Sequence, residues 1–169
     1  MRLKSLEILG FKSFANKTIF SFPANVTAIV GPNGSGKSNV VDAIRWVLGE
    51  RDLKSLRVGR SDEIIFGGTP NRSRMSLAQV SIVLDNSEGK LPVDFKEIVV
   101  TRKVNRDSEA EYLINQSNVR LKDVVELLAK AKVGNQGLTI INQGSADAIL
   151  KASPRERRSM IEESLGLRE

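Results

Sequence analysis

Alternation of apolar and polar residues predicts most of the strands in this chain. The alternating runs cover residues 3–9, 18–22, 75–84, 97–104 and 111–114. A period of two places successive side chains on opposite faces, which is typical of a half-buried antiparallel strand. A polar segment around Asp107 and Ser108 separates the last two runs and is suited to a turn. The pattern therefore predicts a meander of antiparallel strands.

Apolar residues at helical spacing predict two helices. Residues 38–48 carry them at Val40, Val41, Ile44, Val47 and Leu48. Residues 120–132 follow the same period and end before Gly134. These two segments are therefore predicted to be amphipathic helices.

Shorter signals predict the remaining elements. Ser153, Pro154 and Glu156 supply an N-cap, a proline at the first helical position and a glutamate that can bond back to the cap, so a third helix is expected to begin there. Two continuous apolar runs, 26–30 and 138–141, are suited to short strands, and the first has the composition of a buried parallel strand.

A glycine-rich segment lies between the run at 26–30 and the first helix. It reads Gly31-Pro32-Asn33-Gly34-Ser35-Gly36-Lys37-Ser38 and satisfies the phosphate-binding pattern G-x-x-x-x-G-K-[ST]. Small residues let backbone N–H groups surround phosphate oxygens, Lys37 can reach the β- and γ-phosphates, and the Ser38 hydroxyl can coordinate Mg²⁺. Phosphate would lie at a helix N-terminus, where the helix dipole favours an anion. The segment therefore predicts a site for ATP and Mg²⁺.

Composition narrows the possible chemistry. The 169 residues are enough for one domain with a core, and 40% of them are apolar. The chain has no cysteine and no histidine, which excludes disulfides, thiolate metal sites and histidine-based catalytic triads. The net charge of +6 makes an anionic partner beyond ATP plausible. The first residues form no apolar signal core and no run of 18 apolar residues occurs, so we expect a soluble cytosolic chain without membrane association.

Asp85 is a candidate for the second Mg²⁺ site that enzymes with this phosphate loop need. It follows an apolar run at 80–84, but that run alternates at its start and Asn86 and Ser87 stand where a hydrolytic glutamate would be expected. Residues 85–89 are better explained as a turn after an antiparallel strand. We therefore expect Asp85 to lie in a turn rather than to bind metal.

Several short motifs together resemble one family. They are Gly10-Phe11-Lys12-Ser13-Phe14, the loop 31–39, Arg57 within 56–61, residues 64–68, 113–115 and 140–144, and the closing Ser-Pro-x-Glu-Arg-Arg. In this order and spacing they resemble the N-terminal head lobe of SMC (structural maintenance of chromosomes) proteins of prokaryotic type. The resemblance implies an α/β fold, the N-terminal lobe of an ABC-type P-loop ATPase head, with a mixed sheet that contains an antiparallel meander. It implies a lobe at 1–152 and the start of a coiled-coil helix at 153–169.

The resemblance also assigns roles to individual residues. The nucleotide-binding set would be Gly31, Pro32, Asn33, Gly34, Ser35, Gly36, Lys37, Ser38 and Asn39, joined by Lys12 and Ser13 near the nucleotide. Lys37 would bind phosphate, Ser38 and Gln143 would coordinate Mg²⁺, and Gln143 would help to orient the attacking water. Arg57 would approach the nucleotide phosphates and couple their state to DNA. By pattern alone, Gln143 is a polar residue in a turn before Gly144.

The resemblance further implies partners and an incomplete active site. The catalytic glutamate, the Mg²⁺-supporting aspartate and the signature loop of such a head lie in a carboxy-terminal head segment of the same protein. Two heads would bind two ATP molecules between them as a homodimer, with double-stranded DNA and a kleisin-type accessory subunit as partners at the nucleoid. Two alternatives remain at this point. One is a stand-alone P-loop kinase that uses Asp85, and the other is the head of a related ABC-type DNA-repair ATPase.

Overall fold

The computed structural model of the chain describes residues 2–23, 25–89, 91, 93–107, 110–130, 152–156 and 158. The chain divides into two compact units, Met1–Val124 and Val125–Glu169. The first unit contains a sheet and a helix that packs on it. The second, as far as it is described, contains the end of one helix and the start of another. The predicted division at residue 152 remains a prediction.

Six strands form one sheet in the described part of the chain. They are β1 (Arg2–Leu9), β2 (Thr18–Ser21), β3 (Leu77–Asp85), β4 (Glu97–Asn105), β5 (Glu111–Ile114) and β6 (Ser117–Val119). Their spatial order is β2-β1-β3-β4-β5-β6, and every neighbouring pair is antiparallel. The predicted meander is confirmed, and β6 extends it by one strand that the sequence analysis missed. Asn115 and Gln116 connect β5 to β6 in left-handed conformations, which a tight two-residue hairpin requires.

The strand register gathers apolar side chains on one face of the sheet. Leu6 lies opposite Ile82, which in turn lies opposite Val100, and all three are at most 2% exposed. Helix α1 (Lys37–Val47) packs against β3 and β4 on this core. The Phe11 and Trp46 rings meet there with centroids 5.3 Å apart. Burial of these large side chains is the main stabilising contribution of the first unit.

The buried face of α1 differs from the predicted one. The buried residues of α1 are Val40, Asp42, Ala43, Trp46 and Val47. Val41, which the apolar pattern placed in the core stripe, is 39% exposed. Trp46 and Ala43 fill the side that faces the sheet, so the helix is rotated relative to the expectation and a carboxylate enters the buried face.

Residues 26–30 do not form the expected buried strand. The structure gives them no ladder partner, and Val26 and Val30 are each 87% exposed. A parallel strand needs neighbours on its edges and helices on its faces. All six strands described here pair antiparallel with one another, so this run finds no such neighbour among them.

Helical signals further along the chain have mixed outcomes. The helix predicted over 120–132 is present as α2 (Leu121–Lys130). The start predicted at Ser153 is also confirmed, because the Ser153 hydroxyl and N–H both donate to the Glu156 carboxylate, at 2.7 and 2.8 Å. That hydroxyl bond holds the pKa of Glu156 below its ordinary value. The run at 138–141, Gln143 and most of the segment predicted to form the terminal helix lie outside the described residues. No helix of the described part is long and apolar enough to cross a bilayer.

Arg102 is a charged residue inside the core, on the same face of β4 as Val100. It is 8% exposed and donates two hydrogen bonds from Nη1, to the carbonyl oxygens of Trp46 at 2.8 Å and Glu50 at 2.7 Å. Its guanidinium also lies over the rings of Trp46 and Tyr112, at 4.6 and 5.0 Å from their centroids. Burial lowers the pKa of Arg102 and raises that of Tyr112. The guanidinium thus binds carbonyls at and just beyond the end of α1, of which that of Trp46 also accepts the N–H of Gly49, without forming an ion pair in the described structure.

We expect Arg102→Lys to lower the free energy of unfolding by about 2 kcal/mol, because an ammonium cannot reproduce the planar stack between two rings while bonding both carbonyls. Urea denaturation of the chain measures this loss. Arg60→Lys is the matched control, since the Arg60 side chain is 76% exposed beside Asp62 and should change stability by less than about 0.5 kcal/mol. Equal effects of the two variants would contradict the role assigned to Arg102.

Candidate nucleotide site

The predicted phosphate loop lies directly before helix α1. Gly36 is the N-cap of the helix and has φ 91°, a left-handed conformation that favours glycine. The cap forms no side-chain hydrogen bond, and the first turn contains no acidic residue. The positive end of the helix dipole and its first N–H groups are therefore left for an external anion.

Lys37 is held over this loop by its own backbone. Its Nζ donates to the carbonyl oxygens of Gly31 at 2.6 Å and Pro32 at 2.7 Å. Residues 31–35 are exposed, and so is Ser38 in the first turn of the helix. The loop thus presents one ammonium, one hydroxyl and a helix N-terminus on an accessible surface.

Ser13 joins the loop from the segment that follows β1. Its hydroxyl accepts a hydrogen bond from Asn39 Nδ2 at 2.8 Å. A Cβ placed on Gly36 would lie 3.0 Å from the same hydroxyl and 3.5 Å from the Phe14 ring. The structure therefore brings Ser13 and Asn39 together beside the cap, as expected for two residues of one site.

Lys12 and Arg57 meet at a residue that the sequence analysis did not select, Asp42. Lys12 Nζ donates to Asp42 Oδ2 at 2.5 Å and also to the carbonyl oxygen of Leu56. Arg57 donates to the same Oδ2 from Nη2 at 2.6 Å and from Nε at 3.2 Å. The Asp42 side chain is 3% exposed. Asp42 could have been recognised from the sequence, because it is a carboxylate among the apolar positions of the buried helix face.

Two predicted features fall elsewhere. Asp85 ends β3, opposite Arg2, and its carboxylate accepts the N–H of Ser87 at 2.9 Å, a bond that lowers the pKa of Asp85. This confirms the turn that was favoured over a metal site. Gln143 lies outside the described residues. Among the described residues, no group of three or more carboxylates is placed to hold a metal ion.

A separate cleft of about 880 Å³ lies near the end of α1, between β4, β5 and residues 61–65. Its lining includes Arg51, Arg102, Arg106 and Tyr112. None of the described residues predicted to contact nucleotide lines this cleft. The loop is identified by its backbone geometry and charge.

Comparison with a family model and with curated proteins matches this chain to SMC proteins. Residues 2–139 match the family model described as the RecF/RecN/SMC N terminal domain. The chromosome partition protein Smc of Lactiplantibacillus plantarum is 50% identical over 167 residues, which are 99% of this chain and 14% of that protein. This chain thus spans about one-seventh of the length of the curated relatives it matches.

Solved structures agree with this match. A structure from work on ATP-driven dimerization and DNA-stimulated activation of SMC ATPases has a TM-score of 0.88 at 35% identity, covering 95% of this chain and 98% of that one. An Smc head bound to the C-winged helix domain of ScpA has a TM-score of 0.87 at 36% identity, covering 95% of this chain and 50% of that one. RecF with ATP shares only the fold, with a TM-score of 0.60 at 22% identity, so the SMC reading is favoured over the DNA-repair alternative. The chain therefore belongs to the RecF/RecN/SMC N-terminal domain family, and its fold is the N-terminal lobe of an SMC head of the ABC-type ATPase fold.

Proposed function

We propose that this chain is the ATP-binding half of an SMC head that acts in chromosome condensation and segregation. The observation that carries the proposal is the run at 31–38, in which a left-handed Gly36 forms the N-cap at the uncompensated N-terminus of α1. A triphosphate bound there gains backbone N–H donors, the helix dipole and the Lys37 ammonium. Lys37 would exchange its two loop carbonyls for phosphate oxygens, which are stronger acceptors for a cation.

The residues at this site fit a magnesium ion held mainly by phosphate. Mg²⁺ keeps several waters and typically takes one or two protein oxygens beside substrate phosphates. The exposed Ser38 hydroxyl, in the first turn of α1, is one such oxygen. Gln143 is proposed as the second ligand on the basis of the family resemblance. When bound, the ion would neutralise charge on the phosphates.

ATP hydrolysis by the complete protein requires groups that this lobe is proposed to obtain from a carboxy-terminal head segment. The exposed apolar run at 26–30 supports that partner, because Val26 and Val30 lie beside the phosphate loop with most of their surface in solvent. The general base and an opposing signature loop would come from outside the described lobe. This chain would position phosphate and stabilise charge, while Gln143 would help to orient water.

Further partners follow from the same proposal. Two heads would dimerise around ATP, and the net charge of +6 suits double-stranded DNA as a polyanionic partner. One similar head was solved with ScpA, which supports a kleisin-type subunit for this protein too. The capped helix that begins at Ser153 would be the root of the coiled coil. The protein would act in the cytoplasm, at the nucleoid.

Lys37→Ala should abolish detectable ATP binding while the chain stays folded, because the variant removes the cation from an exposed loop and leaves the core unchanged. Titration with a fluorescent ATP analogue, alongside thermal unfolding, measures both effects. Lys54→Ala is the control. Lys54 is another exposed loop lysine, so this variant should bind the analogue as tightly as the parent does. Near-normal affinity of Lys37→Ala would remove the basis for the proposed function.

The 169-residue chain alone should show no ATP turnover, and addition of a carboxy-terminal head segment should create it. Without a general base, positioning and charge stabilisation alone leave the attack of water on the γ-phosphate slow. The chain should also self-associate through its exposed apolar run. Phosphate release is measured at high protein concentration, with Lys37→Ala to reveal contaminants. Lysine-dependent turnover by the chain alone would favour a stand-alone enzyme instead.

A further inference from the structure

The Asp42 carboxylate binds two cations through a single oxygen. Lys12 Nζ and two nitrogens of Arg57 all donate to Oδ2, at 2.5 Å for Lys12 and at 2.6 and 3.2 Å for Arg57. These are charge-assisted bonds, and the oxygen lies in a side chain that is almost fully buried. The two cations therefore share one acceptor in the folded chain.

The two cations are not equivalent. The Lys12 side chain is 9% exposed and has a second acceptor, the Leu56 carbonyl. The Arg57 side chain is 51% exposed, and among the described residues Asp42 is the only acceptor of its side-chain hydrogen bonds. Two positive charges share one negative charge, which leaves the cluster with a surplus of one. Lys12 alone suffices to neutralise Asp42, so Arg57 is the member that can leave at the smaller cost.

Local turns fix the backbone of both cationic residues. Lys12 and Arg57 are two of the four described non-glycine residues with positive φ, at 48° and 54°. The other two, Asn115 and Gln116, form a hairpin turn that needs this conformation. Lys12 and Arg57 also lie in turns, which are closed by backbone hydrogen bonds from residue 14 to residue 11 at 2.8 Å and from residue 58 to residue 53 at 3.0 Å, so each cation is held in place by a local turn.

The cluster is connected to the phosphate loop by short covalent and hydrogen-bonded steps. Asp42 lies on α1 five residues after Lys37, about 7.5 Å along the helix axis. Lys12 is followed by Ser13, whose hydroxyl binds Asn39 in the first turn of α1. Arg57 thus reaches the helix that begins at the phosphate loop, with an exposed guanidinium and an acceptor that it shares.

We propose that Asp42 is a positioning residue that competes with a nucleotide phosphate for the Arg57 guanidinium. Phosphate binding at the loop draws Arg57 from Asp42, and Lys12 keeps the buried carboxylate neutralised when Arg57 leaves. Arg57 then reports phosphate occupancy to the loop at 51–60 that carries it. This inference rests on the proposed ATP site, and it adds the residue against which that site must compete.

If Asp42 competes with phosphate for Arg57, removal of its carboxylate should increase the affinity of the chain for nucleotide. In the full 169-residue chain, Asp42→Asn should tighten binding of a fluorescent ATP analogue with Mg²⁺ by about three- to ten-fold, because Arg57 no longer leaves a charged partner. The same substitution in an Arg57→Ala background should leave affinity unchanged within two-fold. The second background cancels any effect of Asp42→Asn that acts through Lys12 or through the fold.

The outcomes separate the two proposals. Weaker binding by Asp42→Asn, or an equal change in both backgrounds, overturns the competition and leaves ATP binding standing. Binding by the parent that is no tighter than that of Lys37→Ala overturns the proposed function instead. Should Asp42→Asn fail to fold, the Arg57 Nε–H resonance of the parent, assigned by its loss in Arg57→Lys, decides the matter. It should shift on addition of Mg²⁺ and a non-hydrolysable ATP analogue, and an unmoved resonance under saturating analogue overturns the competition.

Discussion

The packing of helix α1 on β3 and β4 is the constraint on which the candidate site depends. This one helix begins at the phosphate loop, carries Asp42 in its middle and ends where Arg102 binds its carbonyls. Because Trp46 and its buried neighbours fix the helix on the sheet, the distance between the loop and Asp42 is set by the rigid rise of the helix. The cation cluster and the phosphate loop are therefore linked through one helix, and in the proposed competition the side chain of Arg57 changes partners between them.

A charged side chain is buried at the middle of helix α1 and another at its end, and the two are stabilised in different ways. At its middle, a carboxylate is neutralised by two cations that come from separate segments of the chain. At its end, Arg102 has aromatic rings and carbonyl oxygens around it, and its Nε is the buried side-chain atom without a hydrogen-bond partner in the described structure. In the first arrangement two cations share one acceptor, so one of them can leave, whereas in the second a single cation is surrounded by backbone carbonyls and ring faces. This difference is why we assign a switching role to Asp42 and a structural role to Arg102.

Sequence reasoning predicted those features whose cause is local. Strand alternation depends on residues two apart, and the phosphate loop is encoded by Gly36, Lys37 and Ser38 in one short run, so both could be read directly. Asp42 was missed because its burial depends on Lys12 and Arg57, which are 30 and 15 residues away in the sequence. The run at 26–30 was misjudged for a related reason. Continuous apolar composition shows that a segment prefers burial, but it does not show whether the surface that covers it belongs to the same stretch of chain.

The exposed apolar run at 26–30 has a consequence for biosynthesis. In the proposed arrangement its covering surface lies in a carboxy-terminal segment, and the corresponding lobe makes up 14% of a relative such as the Smc protein of Lactiplantibacillus plantarum. At ribosomal speeds the rest of such a chain, roughly a thousand residues, takes about one to three minutes to emerge. Throughout that interval Val26 and Val30 would remain accessible to chaperones and to neighbouring nascent chains. Covering of this run would then be limited by the timing of translation, since the sheet and helix of the lobe can form long before the carboxy-terminal segment emerges.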